Sequence, residues 1–548
     1  MSELRLVPGA VAVWAVTLIL LLEGPVVLAG LVLAAGCLLL AWFRQAGQVL
    51  LTGVLGVVAG ALTLWRQRLA AAWDPPAQLT GTVSAAPVRL DSGGHLVRVD
   101  APGHPTPLPV FTDQEEAAFP AGTQVLVEGD WSPAGRPGLG MLVGTGQVHE
   151  LRGPQGMDLV AAIVRRSLGA AVEQAVGESS RGLVPGMVLG DVSAQTAVER
   201  QFYLDTGLSH LSAVSGANVA IVTTAAVLVC RLLTLGPRVQ VAAATGALLG
   251  FVGLVGTEPS VLRASVTGLV GLLAVLGSTR MEPVHGLCLA VAGLILWEPD
   301  LAVAYGFALS VAATAGIITL HPLLYRPLAR TRLPDILVRA LAVAVSADIV
   351  TMPIIALMAG EVSVVSVLAN VLVAPAVAPV TVLGLIAAGL SLLPGPLAWL
   401  PLKLLEPCTW WIHTVAAWCA GLPLATVPAE PVWVLIAYGW IIAGLVGGHT
   451  WKTLLLVLGW WVFSVRDGVG LPPEEVPVDS LQVHVVEEAG QVDRAPPGTQ
   501  VVIVQDPTGR PANRPTVTRE GVPVLFPYRD GEVTLHVDGT QHARDGRF

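Results

Sequence analysis

Charge is scarce in this chain. Only 13% of its 548 residues are Asp, Glu, Lys or Arg, whereas 53% are hydrophobic. Mean hydropathy is +0.70, which excludes an ordinary soluble domain, where about a quarter of residues are charged. Lysine is nearly missing: Lys403 and Lys452 stand alone, and every other basic residue is arginine. With a net charge of −9, a broadly basic surface that coats nucleic acid is excluded, while a narrow basic path is not. The five cysteines, Cys37, Cys230, Cys288, Cys408 and Cys419, lie inside or at the ends of apolar runs. They read as small buried hydrophobes, not as a disulfide framework or a metal site. There is no GxxxxGK[ST] nucleotide loop, no HExxH and no HxHxDH. The residues therefore predict no built-in ATPase, catalytic group, metal or cofactor.

What the chain does have is apolar length. Three segments, 7–22, 25–42 and 49–65, open the sequence. Arg44 in the turn FRQAGQ marks that turn as cytoplasmic, which puts the N-terminus inside and the chain outside after the third helix. The first segment lacks a small-residue cleavage site, so it reads as a helix and not as a leader. Apolar runs resume from residue 205: about ten, near 211–230, 239–255, 262–277, 284–297, 301–320, 340–358, 364–390, 402–420, 432–448 and 451–464. Arg231 and Arg238, then Arg280, then Arg326, Arg330, Arg332 and Arg339, and last Lys452, fall on alternate sides of these runs. Segment 364–390 holds Pro375 and Pro379 and reads as broken or re-entrant, a backbone tolerated only where protein or water covers it.

Residues 74–152 break the pattern with short β-like runs between Gly, Pro and Asp turns, which suits a small barrel of the OB type on the outside. Its acids outnumber its arginines, and its aromatics are only Phe111, Phe119 and Trp131, so nucleic-acid binding by this barrel is the minority reading. Residues 157–178 alternate apolar and charged positions at helical spacing, predicting an amphipathic helix at a bilayer surface. The fold class is thus a polytopic α-helical membrane protein with about thirteen transmembrane or re-entrant helices, an extracytoplasmic barrel and a β-rich tail. The divisions fall at 1–73 for the first helices, 74–152 for the barrel, 153–204 for an amphipathic linker, 205–465 for the main helical domain and 466–548 for the tail.

Polar residues inside apolar runs are costly unless they face a cavity, a partner or a substrate path. The stretch GLSHLSAVSGANVAIV (207–222) starts with Ser209, His210, Ser212, Ser215 and Asn218. Arg263 sits one turn into its segment, Asp348 lies within LAVAVSADIVTMPIIALMAG, and Asn370 interrupts SVLANVLVAPAVAPV. Close packing by serine and glycine, or snorkelling by Arg263, is the bland alternative for each. An Arg263–Asp348 pair is one way such charges could be reconciled.

Four stretches, in order, resemble the ComEC-type competence proteins, inner-membrane channels for DNA uptake. GLVPGMVLGDVSAQTAVERQFYLDTGLSHLSAVSGANVAIV (182–222) is similar to that family's Gly-Asp segment and its His-Leu-x-Ala-Val-Ser-Gly signature. PSVLRASVTGLVGLLAVLGSTR (259–280) resembles its Pro-Ser-x-x-Arg-Ala helix, EPDLAVAYGFALSVAATAGI (298–317) its Gly-Phe-x-Leu-Ser segment, and SVLANVLVAPAVAPV (366–380) its Asn-x-x-x-x-Pro segment. The resemblance spans residues 1–465 and marks Asp191, His210, Ser215, Gly216, Arg263 and Asn370 as sensitive positions. Two departures stand out. Asn218 replaces the signature's second histidine, and the tail, with LQVHVVEEAGQVDR, only faintly resembles the metallo-β-lactamase-like domain that ends many members.

The resemblance implies uptake of single-stranded DNA across the bacterial cytoplasmic membrane, without nuclease activity in this chain. The implied partners are single-stranded DNA, the lipid bilayer, a DNA receptor outside, and a cytoplasmic ATPase or single-strand-binding protein. The barrel and the tail are both expected outside. A small-solute transporter and a relative that transports nothing stay open on the residues alone.

Overall fold

The structure is a computed structural model. It describes residues 4–459, apart from 77, 91–93, 115–118, 141, 213, 215, 277–281, 423–424, 450, 454 and 458, and, further on, 483–486, 492, 499–506, 515–518, 522–531, 533–535 and 541–543. It falls into two compact units, Met1–Leu456 and Val457–Phe548.

Three helices open the first unit: α1 (Val7–Leu21), α2 (Val26–Trp42) and α3 (Ala46–Ala71). Pro8 in the first turn of α1 occupies a position where its missing N–H costs nothing. Only Ala29 of α2 is buried by protein, and most of its apolar residues are exposed. Trp14 of α1 donates from Nε1 to the carbonyl of Ala302 (3.0 Å) and lies against Phe307, which ties the opening helices to the main bundle.

Six strands follow: β1 (Gln78–Val83), β2 (Val88–Arg89), β3 (His95–Asp100), β4 (Leu108–Thr112), β5 (Gln124–Pro133) and β6 (Leu142–Arg152). They run β1-β5-β6-β4-β3-β2, and β1 also pairs with β3, so five strands close into a barrel with β2 appended. All pairs are antiparallel except β4 with β6. Alternation along the strands sends Leu79, Val97, Val99, Leu108, Val110, Val125, Val127 and Val148 inward as the core. Gly129 and Gly146 sit opposite each other on β5 and β6, where a Cβ on either would strike the partner strand's backbone. That pair lets the two longest strands cross closely enough to bend the sheet shut.

Three residues after β6 comes α4 (Gly156–Ala175), then the short α5 (Glu178–Arg181), α6 (Leu183–Leu189) and α7 (Ala197–Asp205). The amphipathic helix expected over 157–178 is found here, with Met157, Leu159, Val160 and Ile163 exposed on it. The stripe Ala161, Val164, Leu168, Val172 of α4 is covered by protein, packed with Val184, Val188, Ala387, Leu402 and Leu405. At its middle Arg165 Nη2 donates to the carbonyls of Leu254 and Val255, and just past its end the Gly177 amide donates to Glu406 Oε1 (2.8 Å). An amphipathic stripe identifies a half-buried helix, and here protein covers one apolar stripe while a second apolar face stays exposed. Gly190, at φ +73°, ends α6 in the left-handed conformation, and a reciprocal Thr196–Glu199 capping box starts α7.

The main bundle continues with α8 (Gly216–Leu232), α9 (Pro237–Val255), α10 (Pro259–Leu276), α11 (Pro283–Trp297), α12 (Tyr305–Leu328), α13 (Asp335–Ala359), α14 (Ser366–Leu390), α15 (Trp399–Ala420) and α16 (Pro431–Val446). A two-stranded antiparallel sheet of β7 (Glu361–Ser363) and β8 (Thr426–Pro428) joins the α13–α14 and α15–α16 turns. Among the described residues, five helices are long and apolar enough to cross a membrane: α3, α9, α12, α13 and α14. Helices α1, α2, α11 and α16 are apolar but shorter, and so is the stretch Asn218–Leu232 of α8. Segment 364–390 is not broken: α14 runs through Pro375 and Pro379 without interruption. Proline is tolerated in such helices because neighbours and local adjustment re-satisfy the freed carbonyl. Of the last expected segment, 451–464, residues beyond 459 lie outside the described residues.

The second unit holds β9 (Val483–Val486), β10 (Val501–Val504), β11 (Thr516–Val517), β12 (Pro523–Leu525), β13 (Val533–Leu535) and β14 (Gln541–Ala543). Four of these form one sheet, β11-β12-β10-β9, parallel except for β11 with β12. Its small core is Val486, Val502, Val504, Val524 and Phe526, with the Arg529 guanidinium stacked 3.6 Å over the Phe526 ring.

Candidate functional site

The signature segment, the Pro-Ser-x-x-Arg-Ala helix and the Gly-Phe-x-Leu-Ser segment meet at one point. Arg263, on the second turn of α10, is 9% exposed and donates from Nε to Ser310 Oγ on α12 (2.8 Å). Its Nη2 lies 3.3 Å from where a Cβ would stand on Gly216, the first residue of α8, and the Ala264 Cβ lies 3.2 Å from that same point. The glycine is therefore the space into which the guanidinium fits. Ser260, one turn earlier on α10, donates to the Val214 carbonyl (2.9 Å) and fixes the approach to α8.

Asn218, 3% exposed, is half a turn along α8. Its Nδ2 donates to the Met187 carbonyl of α6 (2.7 Å), and its Oδ1 accepts from Thr381 Oγ1 of α14 (3.3 Å). A side-chain amide donates and accepts at once, which this position uses in full. Where the family signature has histidine, this chain has a structural cross-brace.

A second polar group forms around Ser366. Its hydroxyl donates to Asp348 Oδ1 (2.5 Å), joining α13 to α14. Asn370, one turn on, returns its Nδ2 to the Ser366 carbonyl. Gly207, at φ +65°, packs against Ser366, where a Cβ would stand 2.9 Å from the serine's own. Exposed His210 is held by Nδ1 to the Gly207 carbonyl (3.0 Å), and Ser363 of β7 donates to the Asp205 carbonyl. Tyr438 of α16 lies within electrostatic reach of Asp348.

Of the eight residues singled out from the sequence, Gly216, Asn218 and Arg263 thus surround the head of α8. His210, Asp348 and Asn370 gather around Ser366. Asp191 stands apart in a local turn, its Oδ1 accepting from the Ser193 amide and hydroxyl. Ser215 lies outside the described residues. The suggested Arg263–Asp348 pair is not formed: the two charges take Ser310 and Ser366 instead. Sequence reasoning did not single out Ser310, Ser366, Met187 or Thr381. The first three lay inside the quoted motifs, which was the available signal.

The junction with the barrel carries its own electrostatics. Glu258, between α9 and α10, is pushed above the usual carboxylate range by burial, against the pull of Arg165 on α4 and Arg98 on β3. Asp300, between α11 and α12, is likewise raised by burial, while the Leu139 amide, His104 and Arg66 oppose it. That amide donates to Asp300 Oδ1 (2.7 Å), and the Leu139 side chain, fully buried, joins the apolar cluster of Leu287, Leu301 and Phe307.

The chain is thus mostly helical, with five helices among the described residues long and apolar enough to cross a membrane and a small five-strand barrel three residues from α4. Residues 187–454 match the family model described as Competence protein. The resemblance to ComEC-type competence proteins is thereby shown over those residues. No curated protein and no solved structure matches.

Proposed function

We propose that this protein is a membrane channel that admits single-stranded DNA across the bacterial cytoplasmic membrane during competence. The observation that carries the reading is the meeting of Gly216, Arg263 and Ser310, drawn from three family segments far apart in sequence, at one buried point. The family match supports a role in DNA uptake. A polyanion crossing a bilayer needs hydrogen bonds along its route and few fixed cations, because binding must also permit release. One buried arginine beside serine and asparagine suits that requirement better than a basic tunnel would.

The barrel order β1-β3-β4-β6-β5-β1, with its one parallel contact between β4 and β6, supports an OB-type reading. In this proposal the barrel and the tail lie outside and the N-terminus inside. The chain supplies the route and no hydrolysis, so the drive comes from a cytoplasmic ATPase or single-strand-binding protein, and a receptor outside delivers the strand.

Transformation frequency in a competent host tests this directly, comparing a deletion strain with one rescued by the wild-type gene. Rescue is the expected result. Transformation undiminished by the deletion removes the uptake reading.

A further inference from the structure

Arg263 is a buried cation without an anion. It is nine-tenths buried, its Nε is taken by Ser310, and among the described residues no carboxylate lies within electrostatic reach of it. A guanidinium taken out of water without a counter-charge is costly, and the cost is recovered when an anion arrives. Its Nη2 side faces Gly216, the first residue of the 17-residue helix α8. The N-terminal end of a helix carries a partial positive charge that favours anions. The two features are independent, lie on different helices, and point at the same place.

We infer that Arg263 and the head of α8 form a single phosphodiester-binding station, with Ser310 as its positioning residue and Gly216 leaving room for the guanidinium beside the helix end. This rests on the reading of the helical domain as a path for a nucleic-acid strand. Ser310 fixes the guanidinium by its Nε, and among the described residues no hydrogen bond occupies the Nη groups, which are the donors for phosphate oxygens. Bases take no part, so the station accepts any sequence. One such contact holds a passing strand weakly enough to release it.

The test is binding of a fluorescent oligothymidylate to the purified full-length protein in lipid-free detergent, measured over a series of salt concentrations. Each phosphate neutralised on a single strand contributes about −0.7 to the slope of log affinity against log salt. Arg263→Gln is expected to bind roughly tenfold more weakly and to flatten the slope by about 0.7. Arg263→Lys keeps the charge but not the Nε donor, and should keep most of the slope while losing affinity. Ser310→Ala should weaken binding, and Ser310→Thr, which restores the hydroxyl, should recover it. Gly216→Ala should weaken it by crowding Nη2.

A slope unchanged in Arg263→Gln overturns the station while leaving the channel reading intact, provided the wild type binds. Should Arg263→Gln fail to fold, the Ser310→Ala and Ser310→Thr pair decides, since equal affinity in both overturns the positioning role. A wild type that does not bind the strand sinks station and channel together. Adding phosphatidylglycerol micelles separates the two phosphate sources: competition that abolishes strand binding assigns the station to a lipid headgroup and overturns the proposal.

Discussion

Asn218 and Met187, 31 residues apart, are joined by a 2.7 Å hydrogen bond from the buried side-chain amide to the backbone carbonyl. The bond locks the start of α8 to α6, and Thr381 completes the brace from α14. Replacing Asn218 by Asp removes the donor and sets a carboxylate oxygen against the carbonyl. Asn218→Asp should therefore destabilise the purified protein more than Asn218→Ala, which leaves the carbonyl unpaired at a cost of about 1–3 kcal/mol. Thermal unfolding in detergent measures both, and an Asp variant as stable as wild type would sink the assignment.

Gly207 is the tightest conformational requirement near the second polar group. At φ +65°, with Ser366 closing the space above it, it is opposed to any side chain on two counts. Gly207→Ala should cost about 1–3 kcal/mol and displace His210, whose Nδ1 is tied to the Gly207 carbonyl. Loss of monodispersity on gel filtration, or a lowered melting temperature, is the expected readout. An alanine variant with wild-type behaviour contradicts it.

Asp300 gives a pH dependence whose sign is fixed by its surroundings. Burial raises its folded-state pKa above the ordinary 3.8, so the folded protein holds the proton more tightly than the unfolded chain. This contribution to stability is present in acid and is lost as pH rises from 3.8 through the raised value. Asp300→Asn keeps an oxygen to accept the Leu139 amide and should flatten that dependence over the range above pH 3.8. Asp300→Ala should destabilise at every pH by stranding the amide. Melting temperatures of the three proteins across that range test the point, and a steeper dependence in the Asn variant would contradict it.

Arg165 and Glu258 should act as a unit. Arg165 occupies the carbonyls at the end of α9, and its charge favours ionised Glu258 against burial. A double-mutant cycle with Arg165→Gln and Glu258→Gln is expected to give a coupling of about 0.5–3 kcal/mol. Additive single effects would show that the two are independent.

Much of the architecture could be read from the chain because apolar runs and turn spacing are local properties. Helix α2 was expected at 25–42 and is found at Val26–Trp42; the five closing strands lie in the segment marked by Gly, Pro and Asp turns. What could not be read depends on who covers whom. The stripe on α4 looks the same whether lipid or Leu402 lies against it, and Pro375 and Pro379 look like breaks until the surrounding helices are known. The site divides the same way. Arg263 and Asp348 stood out because charges are rare in apolar runs, yet their partners Ser310 and Ser366 are ordinary serines whose importance comes only from three-dimensional neighbours.

The clasp between Leu139 and Asp300 spans 161 residues, and this sets an order of events on the ribosome. The barrel is complete in sequence by Arg152 and can close on its own core while later helices are still being made. At about 5–20 residues per second, Asp300 follows Leu139 by roughly 8–30 seconds. During that interval the fully buried Leu139 has no Phe307 or Leu301 to cover it. The nascent chain thus carries a finished barrel with one bare apolar tip, and its docking waits for synthesis to deliver the far half of the clasp.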